Sequence, residues 1–116
     1  MFQSSSDMTR EVRRNARGGN GSPEFCHLFS QAQLGGRLEL LAVVTLQPGE
    51  SVGVHPHVDN DEVYYLLSGS ATVAEDGEER VLQSGDAEFC ADGHTHAIRN
   101  HTDAPAVFLA VIAKDR

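Results

Sequence analysis

A chain of 116 residues with 40% hydrophobic content is about one domain long and carries enough apolar material for one core. Its net charge of -8 argues against a nucleic-acid partner, because such proteins concentrate cations to displace the counterions of phosphates. No run approaches the ~18 apolar residues of a membrane helix, Met1 to Arg10 lacks the apolar stretch of a signal peptide, and Cys26 and Cys90 make no disulfide pattern, so the expectation is a soluble cytoplasmic protein without a membrane partner.

The chain opens on a basic arm. Arg10, Arg13, Arg14 and Arg17 outnumber Asp7 and Glu11, which makes residues 1–17 net positive and leaves the rest strongly acidic. Two readings fit the arm, a solvated tail or a strap lying on the acidic surface of a partner subunit. The turn formers from Arg17 to Pro23 close it, so residues 1–22 are read as an arm and 23–116 as the folded domain. From Phe25 onward, short runs rich in Val, Leu, Phe and Tyr are separated by Gly, Pro, Asp and Asn, which predicts strands near 25–29, 37–46, 52–57, 62–68, 70–74, 79–83, 86–91, 95–100 and 105–113. Asp76-Gly77 marks a hairpin, and Leu67 to Ser70 another tight corner. No helical period survives after Pro23, so the fold class is all-β, a barrel or sandwich.

Chemistry concentrates in two places. His55-Pro56-His57 sets two imidazoles on one face of a strand, because side chains alternate with a period of two. Glu62 follows a polar stretch able to turn the chain back beside them, and Asp61 is its rival for the same role. The remaining donor would come from a distant strand, as His96 or His94. Three neutral imidazoles and a carboxylate suit one divalent transition metal, among Mn, Fe, Co, Ni, Cu and Zn. Tyr64 shares the parity of Glu62 and should point inward, where its hydroxyl could handle a proton.

These residues resemble the two motifs of the cupin family. Gly49, His55, His57, Glu62 and Gly69 fill every fixed position of the first motif, and Gly85, Asp92, Gly93, His96 and Asn100 match the second, with Ala91 where the family usually has proline. The resemblance covers Gly49 to Asn100. It implies a jelly-roll barrel that holds a metal through His55, His57, Glu62 and His96, turns shaped by Gly69, Gly85 and Gly93, and a supporting role for Asn100. His94, His27, His101 and Cys90 are read as ordinary surface or core residues.

The resemblance further implies an enzyme acting on a small organic molecule. An oxygen-using oxidoreductase of the dioxygenase type is favoured, with Fe or Mn bound and with Glu62 and Tyr64 as catalytic candidates. The alternatives are a metal-dependent isomerase, decarboxylase or lyase, and a non-enzymatic cupin that binds a metal or a small ligand. Few cations are expected inside the barrel, so the pocket should be mostly apolar, with Tyr64, Leu66, Phe89 and Ile98 as neighbours of the metal. A homodimer packed through sheet edges is expected, since a small sheet protein must cover its edges.

Overall fold

Strand β3 (Leu38–Leu46) shows how the sequence builds the core: Leu40, Ala42, Val44 and Leu46 are buried, while Leu41, Val43 and Thr45 alternate outward. Strand β10 (Ala106–Lys114) repeats the pattern and lies between β3 and β5 (Asn60–Ser68), so Phe108 sits beside Val44 on one side and Leu66 on the other. The computed structural model describes residues 1–114. Six strands form one sheet in the order β1-β2-β3-β10-β5-β8, with β1 at Thr9–Val12, β2 at Glu24–His27 and β8 at Ala87–Cys90. The second sheet runs β4-β9-β6-β7, from Ser51–Pro56, Thr95–Arg99, Ser70–Glu75 and Glu78–Gln83. The two inner faces enclose Phe108, Leu46, Leu66 and Ile98, as in an all-β jelly roll.

The nine expected strands are present, with ends within two residues of the expected ones. The tenth, β1, lay in the segment read as an arm. Thr9–Val12 pairs antiparallel with β2 although all four residues are exposed. Backbone pairing on a sheet edge needs no apolar alternation, so hydropathy gave no sign of it. Residues 13–23 then form a loop closed by Arg13 N–H to Pro23 O (3.0 Å) and Asn15 N–H to Gly21 O (2.8 Å) and held to the barrel by Ser51 N–H to Asn20 O (3.0 Å) and Ser22 N–H to Glu50 Oε2 (2.7 Å), and Ala16 enters the core.

One irregularity decides which way β4 faces. Val52 pairs with Ile98 and His55 with His96, so three steps on β4 oppose two on β9. The extra residue is a β-bulge at Gly53-Val54, and it reverses the alternation midway along the strand. Val52 and His55 are therefore both buried, and Val54 is turned out to solvent.

Two features lock the barrel's end. At the corner between β5 and β6, Gly69 has φ +78°, and a Cβ there would lie 2.4 Å from Pro105 O, so only glycine fits. Asn100, just past β9, donates from its amide to Leu46 O (2.9 Å) and Ala104 O (2.7 Å), and its Oδ1 accepts from Thr102 N–H (2.9 Å). This side chain is 2% exposed, and its bond to Leu46 O is buried on both sides, so that carbonyl has no water to turn to. Asn100→Ala should therefore destabilise the protein by about 2–3 kcal/mol, the cost of leaving several buried polar groups unmade. The check is urea unfolding, with a lower midpoint at an unchanged slope.

Candidate metal centre

Four side chains meet inside one end of the barrel. His55 and His57 come from β4 and the turn after it, Glu62 from β5 and His96 from β9, and all four are buried. Glu62 Oε1 lies 2.8 Å from His96 Nε2, 2.9 Å from His57 Nε2 and 3.5 Å from His55 Nε2. The Nε2 atoms of His57 and His96 are 3.1 Å apart. One donor atom from each of the four residues lies within 4.8 Å of every other, so the cluster could hold a metal ion.

Whether the donor set fits a cation depends on where the imidazole protons sit. Each ring has a hydrogen-bond acceptor at Nδ1: Gly53 O at 2.7 Å for His55, Asn60 Oδ1 at 2.7 Å for His57 and Glu88 Oε1 at 2.9 Å for His96. Each Nδ1–H donates outward, which leaves all three Nε2 lone pairs aimed inward at one point. Three nitrogens and a carboxylate oxygen turned toward a common centre fit a divalent transition metal. Turns around the cluster hold the second motif in place through Gly93 N–H to His57 O (2.8 Å) and His94 N–H to Ala91 O (3.0 Å). Ala91 thus closes the turn without the proline of the family pattern.

Without a metal, protons fill the gap. Burial opposes charge on His96, but hydrogen bonds to Glu62 and Glu88 overcome it and raise its pKa from 6.5 to about 9. His57 is raised as well, chiefly by its hydrogen bond to Glu62. Burial pushes Glu62 up, yet the three imidazoles together hold its carboxyl well below the usual range. Tyr64 stacks on the His96 ring at 4.4 Å, and burial, then the Glu62 charge, drives its hydroxyl well above 10.

His55, Glu62 and Tyr64 line a cavity of about 200 Å³ whose remaining wall is largely apolar, with Phe25, Val44 and Phe108 among its residues. Sequence parity placed Tyr64 correctly, but the expected pocket needs two corrections. Phe89 is turned outward and 56% exposed, because it stands opposite in parity to the buried Cys90. The expected lack of cations also fails, since Arg13 and Arg17 of the N-terminal segment line the same cavity. Leu66 and Ile98 belong to the core.

The other candidates fall as read. Asp61 accepts from Asp92 N–H at 2.7 Å, and His94 is exposed and pairs with Asp76. His27 meets Glu11, and His101 contacts Thr72. Cys90 is a buried thiol that burial pushes up to about 12, far from the thiolate a nucleophile needs. Sequence reasoning missed Glu88 and Asn60, the outer partners of His96 and His57. The shared inward parity of Glu88, Cys90 and Glu62 across the β5–β8 pairing could have found Glu88.

The Cupin domain family matches residues 42–112. The oxalate-binding protein of Thermotoga maritima is 38% identical over 112 residues, covering 97% of this chain and 93% of that protein. Oxalate decarboxylase OxdC of Bacillus subtilis is 34% identical over 79 residues, 64% of this chain but 20% of that protein, so the chain spans about a fifth of its length. A crystal structure from Thermotoga maritima, described as a predicted oxalate decarboxylase, superimposes with a TM-score of 0.93 at 37% identity, covering 98% of this chain and 99% of that one.

His57→Ala should lower metal affinity by more than about tenfold, and Glu88→Gln by about 10–100-fold with all four donors still present, as loss of an outer partner does. Metal titration of both variants checks this, and full affinity in His57→Ala would contradict the ligand set. The raised pKa of His96 gives the apo fold a stabilisation that is complete below 6.5 and lost as pH rises through about 9. A bound ion replaces that proton. The metal-induced rise in melting temperature should therefore grow between about pH 6 and 10, and metal uptake near neutral pH should release protons. Melting curves of apo and reloaded protein test it, and a constant increment would count against His96 as a ligand.

Proposed function

The chain belongs to the cupin family, and from that premise we propose that it is a metal-dependent binding protein for a small carboxylate of the oxalate kind. The observation that carries this reading is the convergence of three inward Nε2 lone pairs and Glu62 Oε1 at the wall of a small, mostly apolar cavity. At about 200 Å³ the cavity is below the range of about 300–1,000 Å³ typical of drug-sized ligands, so it suits a ligand of few heavy atoms. The likeness to an oxalate-binding protein over nearly the whole chain supports the same class.

His55, His57, Glu62 and His96 would hold the ion, a divalent transition metal that the mixed nitrogen and oxygen donors suit, with Mn(II) taken as the test ion. When bound, such an ion supplies a Lewis acid toward a carboxylate oxygen. The chain's own residues do the rest. Val44, Phe25 and Phe108 exclude water from the cavity, and Gly53, Asn60 and Glu88 keep the imidazoles in the binding tautomer. Tyr64 keeps its proton at neutral pH and can donate a hydrogen bond to an anion beside Glu62.

Decarboxylation is the second reading, favoured by the partial likeness to OxdC. That reaction must deliver a proton to carbon. Among the described residues, the cavity's one carboxyl group is Glu62, held ionised far below neutral pH, and Tyr64 is a reluctant acid. Binding without turnover therefore stands ahead. The relatives name oxalate and its decarboxylation, so the dioxygenase expectation gives way to this pair.

Assembly as a homodimer belongs to the same proposal. The outer face of the six-stranded sheet carries Val43, Leu109 and Tyr65 in one row of paired residues and Val63 and Phe89 in the next, an apolar surface with Tyr65 and Phe89 exposed that a second copy could cover by a two-fold axis. No helix among the described residues is long and apolar enough to cross a membrane, and the free thiols of Cys26 and Cys90 suit a reducing cytoplasm.

Calorimetry should show oxalate binding to the Mn(II)-loaded protein and none to the apo protein. Overnight incubation should leave the oxalate unconsumed, with formate production the outcome that would promote the second reading. Light scattering should give the mass of a dimer at micromolar concentration, and a monomer would remove the assembly proposal.

A further inference from the structure

In a chain with 17 acidic and 9 basic residues, two arginines at the cavity that holds the metal ligands call for an explanation. Arg13 and Arg17 both come from the segment that folds back over β4. Arg13 is already engaged: its guanidinium lies 4.1 Å over the Phe25 ring and its Nη2 meets Glu11 Oε1 at 2.8 Å. Arg17 differs: it is an exposed member of the cavity lining, and among the described residues no carboxylate lies within ion-pair distance of it. Its backbone is also unusual. It sits at φ 52°, ψ 33°, in the left-handed region that an arginine rarely adopts.

The surroundings hold that conformation in place. A Cβ on Gly53 would lie 2.3 Å from Arg17 O, and one on Gly19 would lie 2.5 Å from Ser51 O, so two glycines let the segment press against β4 at backbone distance. Asn20 N–H donates to Ser51 Oγ (2.9 Å), Ser51 N–H donates to Asn20 O (3.0 Å), and Ala16 is buried beside them. Gly53 is also the residue whose carbonyl accepts from His55 Nδ1. The segment that carries Arg17 is thus anchored on the same residue that orients a metal ligand.

We propose that Arg17, with the stacked guanidinium of Arg13, forms an anion-binding subsite in the cavity that His55 and Glu62 also line, so that the pocket selects small dicarboxylates over monocarboxylates. This rests on the carboxylate-binding reading above and specifies its ligand as one with two acidic ends. One carboxylate faces the ligand cluster and the other faces the guanidinium, whose fork of N–H donors matches a carboxylate. Because Arg17 is exposed, solvent screens that pair, and the geometry of the fork rather than burial supplies the selectivity.

The test uses Arg17→Gly and Arg13→Gln in the full chain. Glycine adopts φ 52° without strain, so Arg17→Gly should hold or raise the melting temperature and leave Mn(II) affinity unchanged. With Mn(II) loaded, its affinity for oxalate and malonate should fall about three- to tenfold, the range expected for losing a bidentate pair to an exposed guanidinium, while acetate and formate bind as before. Arg13→Gln should produce a smaller loss of the same selectivity. Equal affinity for oxalate in wild type and Arg17→Gly, or a parallel loss for acetate and oxalate, would overturn the proposal and leave the carboxylate reading standing. A wild-type protein that binds none of the four anions would overturn both.

Discussion

Everything at the ligand end of the barrel depends on one constraint, that three imidazoles must present unprotonated nitrogens to one another and to a carboxylate at about van der Waals distance. Lone pairs so arranged repel unless a cation or protons sit between them. The outward bonds from Nδ1 to Gly53 O, Asn60 Oδ1 and Glu88 Oε1 decide the matter, since a ring whose Nδ1–H is engaged has only Nε2 to offer inward. Strand positions bring the rings together, but those acceptors make the site a receptor for positive charge. In the apo state the same geometry shows itself as raised imidazole pKa values and a depressed Glu62.

Gly53 is where several of these demands coincide. The bulge at Gly53-Val54 turns Val52 and His55 to the same side, which a regular strand could not do. The bulged carbonyl accepts from His55, and the missing side chain lets Arg17 O approach. A substitution there would disturb strand parity, ligand orientation and the docking of the N-terminal segment together. Bulges beside binding sites are commonly structural devices of this kind rather than defects.

Much of this was legible in the sequence. Period-two alternation gave the core of β3, β5 and β10; spacing paired His55 with His57 and left His94 beside His96 and Asp61 beside Glu62, and the resemblance to the cupin motifs chose His96 and settled on Glu62, which the barrel brings together. Parity separated Tyr64, which points inward, from Tyr65, which points out. What escaped had no local signature. An isolated glycine inside the strand pattern Val52-Gly53-Val54-His55 is compatible with a bulge, but it does not fix on which side Val52 and His55 fall, which the pairing with β9 decides. Strand β1 carries no apolar period, so its pairing with β2 is a tertiary fact, and with it came the position of Arg13 and Arg17. Glu88 was visible as a residue but not as a partner, because its role needs β8 and β9 brought from opposite sheets.

The division of labour between the sheets explains why binding chemistry and folding need not be coupled here. Phe108, Leu46, Leu66 and Ile98 fill the space between the sheets, and a core of this kind is stable without an ion, unlike a zinc finger whose few apolar residues cannot bury themselves. Among the described residues no buried side-chain nitrogen or oxygen lacks a hydrogen-bond partner, and this holds with the ligand cluster filled only by its own protons. A protonated His96 against Glu62 makes a self-consistent apo state, and the hydrogen bond to Glu62 shifts His57 in the same direction. A metal must displace those protons to enter, so part of its intrinsic affinity is consumed in deprotonating ligands at neutral pH. Protons and a cation therefore compete for the same cluster, and the hydrogen bonds that raise the imidazole pKa values set the balance between them.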